Sequence, residues 1–166
     1  MDRGLDRLPR FEVAPLASWA DLERAEPGFA ERLRARLSHR KHCTLATLRA
    51  DGSPRISGTE VVFDGGEILL GSMPGSRKAR DLLRDPRLAL HGPTEDPPEP
   101  PGPWDGEAKL AGLAVPIERH VAEGPPAEWF RLDIREAVLT WIGDPPDRLL
   151  IDSWHPERGL RRRERR

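Results

Sequence analysis

Short strand-like segments, bounded by turns that contain glycine or proline, recur between Thr44 and Trp154 and constrain this fold more than any other feature. Regular spacing of such segments is typical of antiparallel barrels. The turns Asp51-Gly52 and Asp64-Gly65-Gly66 predict an antiparallel meander of the first three strands. We therefore predict a mainly β fold of the α+β class, a single antiparallel barrel with small attached helices. The predicted strands are residues 44–48, 55–63, 67–72, 88–91, 105–115, 130–134, 138–142 and 149–154.

Two short helices are predicted before the first strand. Residues 21–24 form one, and Pro27 opens the second, because proline is well tolerated in the first helical turn. Apolar residues at positions i, i+4 and i+8 then give this second helix a single apolar stripe. The stripe consists of Phe29, Leu33 and Leu37.

The remaining segments suggest one domain with extensions. Residues 1–17 resemble an extended arm and residues 18–156 form the domain, with a short helix around 118–122. Residues 92–103 contain six prolines and are expected to form a stiff, exposed loop across which the flanking strands pair. Residues 157–166, with six arginines and two glutamates, are expected to be a frayed basic tail. Because no aromatic residue is interleaved there, we expect no nucleic-acid partner.

Composition narrows the possible sites. Cys43 is the single cysteine, which excludes a disulfide or a cysteine-rich zinc site within one chain, and we expect no metal. Tyrosine, asparagine and glutamine are absent, so a site must use other side chains or the main chain. No apolar run is long enough to span a bilayer, and the N-terminus lacks a signal-like segment, which predicts a cytoplasmic protein without membrane contact.

The segment 70–80 (LGSMPGSRKAR) carries the clearest chemical signal. A strand ends, glycine permits a turn, and Ser76 is placed to cap a helix whose first turn contains Arg77, Lys78 and Arg80. The helix dipole disfavours cations at this end. Free N–H groups, a hydroxyl and several cations would instead stabilise a bound anion, so the segment predicts a phosphate site.

These residues resemble a known family. Gly75-Ser76-Arg77-Lys78-Ala79, followed by Asp85-Pro86-Arg87 before a strand, resembles the phosphate-binding segment of the pyridoxamine-phosphate-oxidase-like flavoproteins. The resemblance covers about residues 42–91 and resumes, more weakly, at 105–114 and 130–140.

The resemblance implies an antiparallel Greek-key split β-barrel that forms a homodimer, with flavin bound in the grooves between subunits. It implies that Ser76, Arg77 and Lys78 hold the flavin phosphate. It also implies that one strand lies along the flavin ring and ribityl chain. The residues of that strand are Arg55, Ile56, Ser57, Gly58 and Thr59.

In function, the resemblance implies an FMN-dependent oxidoreductase that transfers hydride to or from a small substrate. The C-terminal residues 152–159 differ from the substrate-binding motif of the true oxidases, so a vitamin B6 substrate is not expected. The chain looks more like the small bacterial branch of the family, whose members use FMN or the deazaflavin coenzyme F-420. A flavin- or haem-binding carrier or sensor without turnover is the alternative.

Two histidines are candidates for a proton donor. His91 lies at a strand end beside the proline-rich loop, and His155 lies near the C-terminus. Histidine is the side chain most often used for proton transfer near neutral pH. His39 and His42 follow a predicted helix end, where the dipole favours them for structural reasons.

Overall fold

The computed structural model describes residues 15–121 and 124–166, in which nine strands and three helices form one mainly antiparallel β structure. The fold-class prediction is confirmed, and much of the predicted arm, residues 1–14, lies outside the described residues. The helices are α1 (Trp19–Ala25), α2 (Pro27–Leu37) and α3 (Arg77–Arg84). The strands are β1 (Cys43–Leu48), β2 (Pro54–Thr59), β3 (Val61–Asp64), β4 (Glu67–Ser72), β5 (Arg87–His91), β6 (Trp104–Ile117), β7 (Glu128–Ile142), β8 (Leu149–His155) and β9 (Gly159–Arg165).

The strand order is β2-β1-β5-β6-β7-β4-β3, with β8 on the remaining part of β7 and β9 beside β8. β7 has 15 residues; its first residues pair with β4 and its last with β8. Successive side chains of a strand point to opposite faces, so every second side chain along most of β6 and β7 is buried in one apolar core. The predicted apolar stripe of α2 is buried in that core.

The predicted meander is wrong. β2 ends at Thr59, which pairs with Cys43 at the start of β1, so the chain beyond it has no β1 residue left as a partner. Val61–Asp64 pairs with β4 instead, and the two hairpins lie at opposite ends of the strand order. Separate strands over 130–134 and 138–142 are also wrong, because β7 runs through both with a bulge at Arg135.

Two further local predictions are wrong. Residues 118–121 are not helical, because β6 continues to Ile117 as the partner of β7; residues 122 and 123 lie outside the described chain. The basic tail does not fray: residues 159–165 form β9, which pairs with β8 along its length. The proline-rich loop does lack helix and strand, and its flanking strands β5 and β6 pair as predicted.

One buried carboxylate explains why the arginine-rich C-terminus is ordered. Asp152 is 2% exposed and accepts two hydrogen bonds from the Arg162 guanidinium, at 2.6 and 2.9 Å. The indole N–H of Trp141 donates to the same carboxylate at 2.9 Å. The guanidinium groups of Arg32 and Arg162 lie 4.1 and 5.1 Å from the Trp141 ring centre. This cluster joins β7, β8, β9 and α2.

We predict that Asp152→Ala lowers the free energy of unfolding by about 2 to 4 kcal/mol, because it leaves two donors without their charge-assisted acceptor. Urea unfolding followed by circular dichroism measures this. Glu164→Gln, at an exposed carboxylate paired with Arg148, is the matched control and should cost no more than about 1 kcal/mol. Equal losses in the two variants would contradict the structural role of Asp152.

Candidate functional site

The start of α3 leaves backbone donors without acceptors. After β4 the chain turns at Gly75, whose φ of 67° favours glycine, and Ser76 caps the helix by accepting the Ala79 N–H at 3.3 Å. The predicted helix start and cap are confirmed. The N–H groups of Arg77 and Lys78 donate to no acceptor in the described part of the chain, and the first turn has no acidic residue. This end of α3 therefore has the features of an anion site.

Four arginines gather beside this turn. Arg77, Arg80 and Arg84 recur at i, i+3 and i+7 on one face of α3, and Arg55 of β2 faces them. Together with Ala50 and Asp81 they line a cavity of about 280 Å³. One carboxylate against four guanidinium groups leaves a formal excess of three positive charges. Arg77 and Arg80 form no ion pair within residues 15–121 and 124–166.

Asp81 organises this arginine cavity. Its carboxylate is 3% exposed and accepts hydrogen bonds from Arg55 at 2.6 Å, Arg84 at 3.0 Å and the Thr47 hydroxyl at 2.9 Å. Burial alone would raise the pKa of Asp81, but hydrogen bonds from Arg55, Arg84 and Thr47 outweigh it and lower the pKa to about 2. Asp81 thereby fixes α3 against β1 and β2.

Lys78 points away from the arginine cavity into a second groove. Its ammonium donates to the Gly58 carbonyl at 2.7 Å, and burial lowers its pKa although nearby Glu60 opposes the shift. The groove has a volume of about 400 Å³. Its lining residues are His42, Gly58, Thr59, Glu60, Val62, Gly71, Ser72, Met73, Lys78, Val121, Gly124, Pro125, Pro126, Ala127 and Trp129.

The structure therefore separates the side chains predicted to meet at one phosphate. Arg77 faces the arginine cavity and Lys78 faces the groove, because successive helical residues are rotated by about 100°. Their backbone N–H groups are consecutive in the first turn of α3.

The residues predicted to lie along the flavin belong to β2, and the structure places them in three different environments. Arg55 lies in the arginine cavity, and Gly58 and Thr59 line the groove. Ile56 is 75% exposed on the outer face, and Ser57 is half-buried. The alternation of side chains along a strand accounts for this division.

Neither predicted proton donor lines these two spaces. The His91 ring contacts the Gly92 carbonyl at 2.7 Å and Glu107 at 3.4 Å. His155 lies 3.2 Å from Glu136 in a separate cavity, where burial, aided by Arg158, lowers its pKa. A role for either histidine remains a prediction.

Sequence reasoning missed several residues that line the groove. The sequence predicts a structural role for His42 at a helix end, yet His42 lies in the groove. Trp129 packs so closely on Gly71 that a Cβ there would lie 3.2 Å from the indole. The two residues pair across β4 and β7, more than fifty positions apart, so only the strand pairing shows this contact.

Within residues 15–121 and 124–166, no group of three or more His, Cys, Asp or Glu side chains is arranged to hold a metal ion. In the same ranges, no helix is long and apolar enough to cross a bilayer.

A comparison with protein families identifies one family whose sequence model matches this chain. The sequence model of a family described as pyridoxamine 5'-phosphate oxidase matches residues 29–137, about two thirds of the chain. No curated protein sequence matches.

Solved structures share the fold. PhzG from Burkholderia lata 383, in complex with tetrahydrophenazine-1-carboxylic acid, is 14% identical with a TM-score of 0.59, and the match covers 96% of this chain and 97% of that one. A haem-binding protein from Mycobacterium smegmatis is 23% identical with a TM-score of 0.55, and the match covers 80% of this chain and 60% of that one. The chain thus spans less than two thirds of the haem-binding protein, and at these identities the likeness concerns the split β-barrel fold alone.

Asp81 predicts an acid-sensitive step in stability. Because its folded-state pKa of about 2 lies below the ordinary aspartate pKa of 3.8, its ionised form stabilises the fold above pH 4, and this stabilisation is lost as the pH falls towards 2. We expect urea midpoints of the wild type to fall over this window. The Asp81→Asn variant should have a lower urea midpoint than the wild type at pH 5. Its midpoint should also fall less than that of the wild type between pH 4 and pH 2.

Asp96→Asn, in the exposed proline-rich loop, is the matched control and should follow the wild type. A wild-type midpoint that falls no more than that of Asp81→Asn would contradict the role assigned to Asp81.

Proposed function

The chain belongs to the pyridoxamine 5'-phosphate oxidase family, and on that premise we propose that it is a flavin-dependent oxidoreductase that binds FMN through the start of α3. The observation that carries this proposal is the pair of free N–H groups at Arg77 and Lys78 beside a cavity with three excess positive charges. A phosphate needs several donors and positive charge at one place, and this turn supplies both.

The residues fit the two halves of a phosphorylated flavin. The N–H groups of Arg77 and Lys78, with the guanidinium groups of Arg55, Arg77 and Arg80, would hold the phosphate. The groove beside Lys78 would hold the ring system, with main-chain atoms of Gly58 and Thr59 along one side. The Ser76 hydroxyl already accepts the Ala79 N–H, which leaves its O–H free to donate to the phosphate.

Bound flavin would supply the hydride chemistry, and the protein would supply orientation, charge and partial exclusion of water. Lys78, whose ammonium is held at the Gly58 carbonyl, would place a positive charge at the edge of the groove. Ten of the fifteen residues that line the groove are glycine, proline or apolar, which accords with a reaction in which the cofactor carries the chemistry.

The outer face of the sheet supports the proposal of a homodimer. Ile56, Ala46, Ala89 and Ala111 are successive neighbours across β2, β1, β5 and β6. The three alanines make this row flat and uncharged across β1, β5 and β6, and Ile56 is 75% exposed at its end. A second copy of the chain would cover this row, only one residue along β2 from Arg55 and the arginine cavity.

A carrier or sensor without turnover remains the second candidate, with flavin or haem as its ligand. His42 favours its haem form, because its imidazole lies in the groove and is exposed enough to coordinate an iron. The deazaflavin coenzyme F-420 is the alternative redox cofactor, and its phosphodiester would occupy the same turn.

We expect the purified protein to show the visible absorption of an oxidised flavin, or to acquire it on titration with FMN. Parallel titrations with the deazaflavin and with haem identify the alternatives. Rapid reoxidation of the reduced flavin by added electron acceptors would favour an enzyme over a carrier. Saturable haem binding without flavin binding would contradict the proposed function.

We predict that replacing Arg77 and Lys78 together with alanine weakens FMN binding at least tenfold, because the charge-assisted contact of the Arg77 guanidinium with the phosphate would contribute about 1.5 to 3 kcal/mol and Lys78 would add a positive charge beside the flavin ring. Fluorescence titration of FMN measures the affinity. The matched control replaces Arg163 and Arg165, two exposed arginines of β9, with alanine and should leave the FMN affinity unchanged. Equal affinity of the Arg77/Lys78 variant and the wild type would remove the phosphate assignment.

We predict that Ala89→Arg converts the dimer to a monomer, because it places a charge in the middle of the alanine row. Sedimentation velocity measures the mass. Thr94→Arg, in the exposed loop, adds the same charge elsewhere and should remain dimeric. A wild type that is monomeric at micromolar concentration, or a dimer that survives Ala89→Arg, would contradict this interface.

A further inference from the structure

Glu128 is a half-buried acidic residue at the start of β7 with one unexplained oxygen atom. Its Oε1 accepts the Gly75 N–H at 3.3 Å, in the turn that leads into α3. Its Oε2 is buried and has no hydrogen-bond partner in residues 15–121 and 124–166. Buried carboxylate oxygens are ordinarily hydrogen-bonded, so this arrangement needs an explanation.

The charge of Glu128 is not compensated by a nearby cation. Within the described ranges, no lysine, arginine or histidine nitrogen lies within ion-pair distance of it. The ammonium of Lys78 is bonded to the Gly58 carbonyl, and Arg119, which shares a cavity with Glu128, is paired with Asp64 at 2.8 Å. A partly buried charge without a counter-ion acts over a longer range than an exposed one, because water screens it less.

The anion site at the start of α3 lies close enough to Glu128 for this charge to act on a bound phosphate. Gly75 precedes the free N–H of Arg77 by two residues, which separates their nitrogens by at most about 7 Å. The Glu128 carboxylate oxygen is 3.3 Å from the Gly75 nitrogen, so it lies within about 10 Å of the proposed phosphate donors. At this distance a negative charge opposes a bound phosphate.

We propose that Glu128 determines the charge selectivity of the phosphate site. Its carboxylate weakens binding of a phosphate monoester, which carries nearly two negative charges at neutral pH, more than binding of a phosphodiester, which carries one. The site is thereby biased towards flavins whose phosphate is singly charged. This inference rests on the proposed function, because it assigns a cofactor preference to the same site.

Glu128→Gln tests the proposal, because it removes the charge and keeps an oxygen for the Gly75 N–H. FMN, a monoester, and riboflavin 4',5'-cyclic phosphate, a diester with the same ring, are the paired probes. We expect the variant to bind FMN roughly threefold to tenfold more tightly than the wild type, with a gain for the cyclic ester about half as large on a logarithmic scale. Fluorescence titration gives both dissociation constants.

Two further variants complete the design. Glu128→Ala removes the charge without adding an amide donor and should also bind FMN more tightly. Glu118→Gln removes an exposed charge from the cavity that Glu118 shares with Arg119 and Glu128, and should change FMN affinity less than twofold. Unfolding midpoints confirm that the variants remain folded.

Inorganic phosphate provides a flavin-independent probe, measured by the stabilisation that it gives to each protein against heat. Tighter phosphate binding by both Glu128 variants supports the proposal even if no flavin binds, an outcome that would remove only the proposed function. FMN and phosphate affinities within twofold of the wild type, or an equal gain for the two flavin esters, would overturn the proposal. If the wild type still binds FMN in that case, the proposed function stands.

Discussion

The 2.6 Å ion pair between the partly buried Arg55 and the buried Asp81 is the interaction on which the site depends. It joins β2 to α3, and the Thr47 hydroxyl and Arg84 complete the hydrogen bonds of the same carboxylate. Because α3 is only eight residues long, its direction is fixed by such contacts rather than by its own stability. The orientation of its free N–H groups follows from this anchor.

The charges around α3 are arranged at a cost to stability that a bound anion would offset. Cations in the first turn of a helix oppose its dipole, and Arg77 and Arg80 lie there without carboxylate partners in the described chain. Several arginines elsewhere in the described chain are paired with carboxylates; Arg162 with Asp152 is one example. Local conflicts of this kind within an otherwise consistent structure are expected at functional sites.

Local chemistry made α3 and its cap predictable, because Ser76 and the following proline at position 86 act within a few residues. Long-range pairing was not predictable. The β9 strand is ordered by the buried Asp152 of β8, and its basic composition gave no sign of this. The divergence of Arg77 and Lys78 follows from helix geometry, whereas Glu128 reaches the turn from fifty-three positions away. Sequence thus identified the turn but not its acidic neighbour.

We propose that this protein holds its flavin through a phosphate at the start of α3. Isothermal titration of the wild-type protein with FMN and with riboflavin, which lacks the phosphate, tests it most directly. We expect FMN to bind at least tenfold more tightly, because several charge-assisted hydrogen bonds of about 1.5 to 3 kcal/mol would be lost with riboflavin. Equal affinity for the two flavins would contradict it.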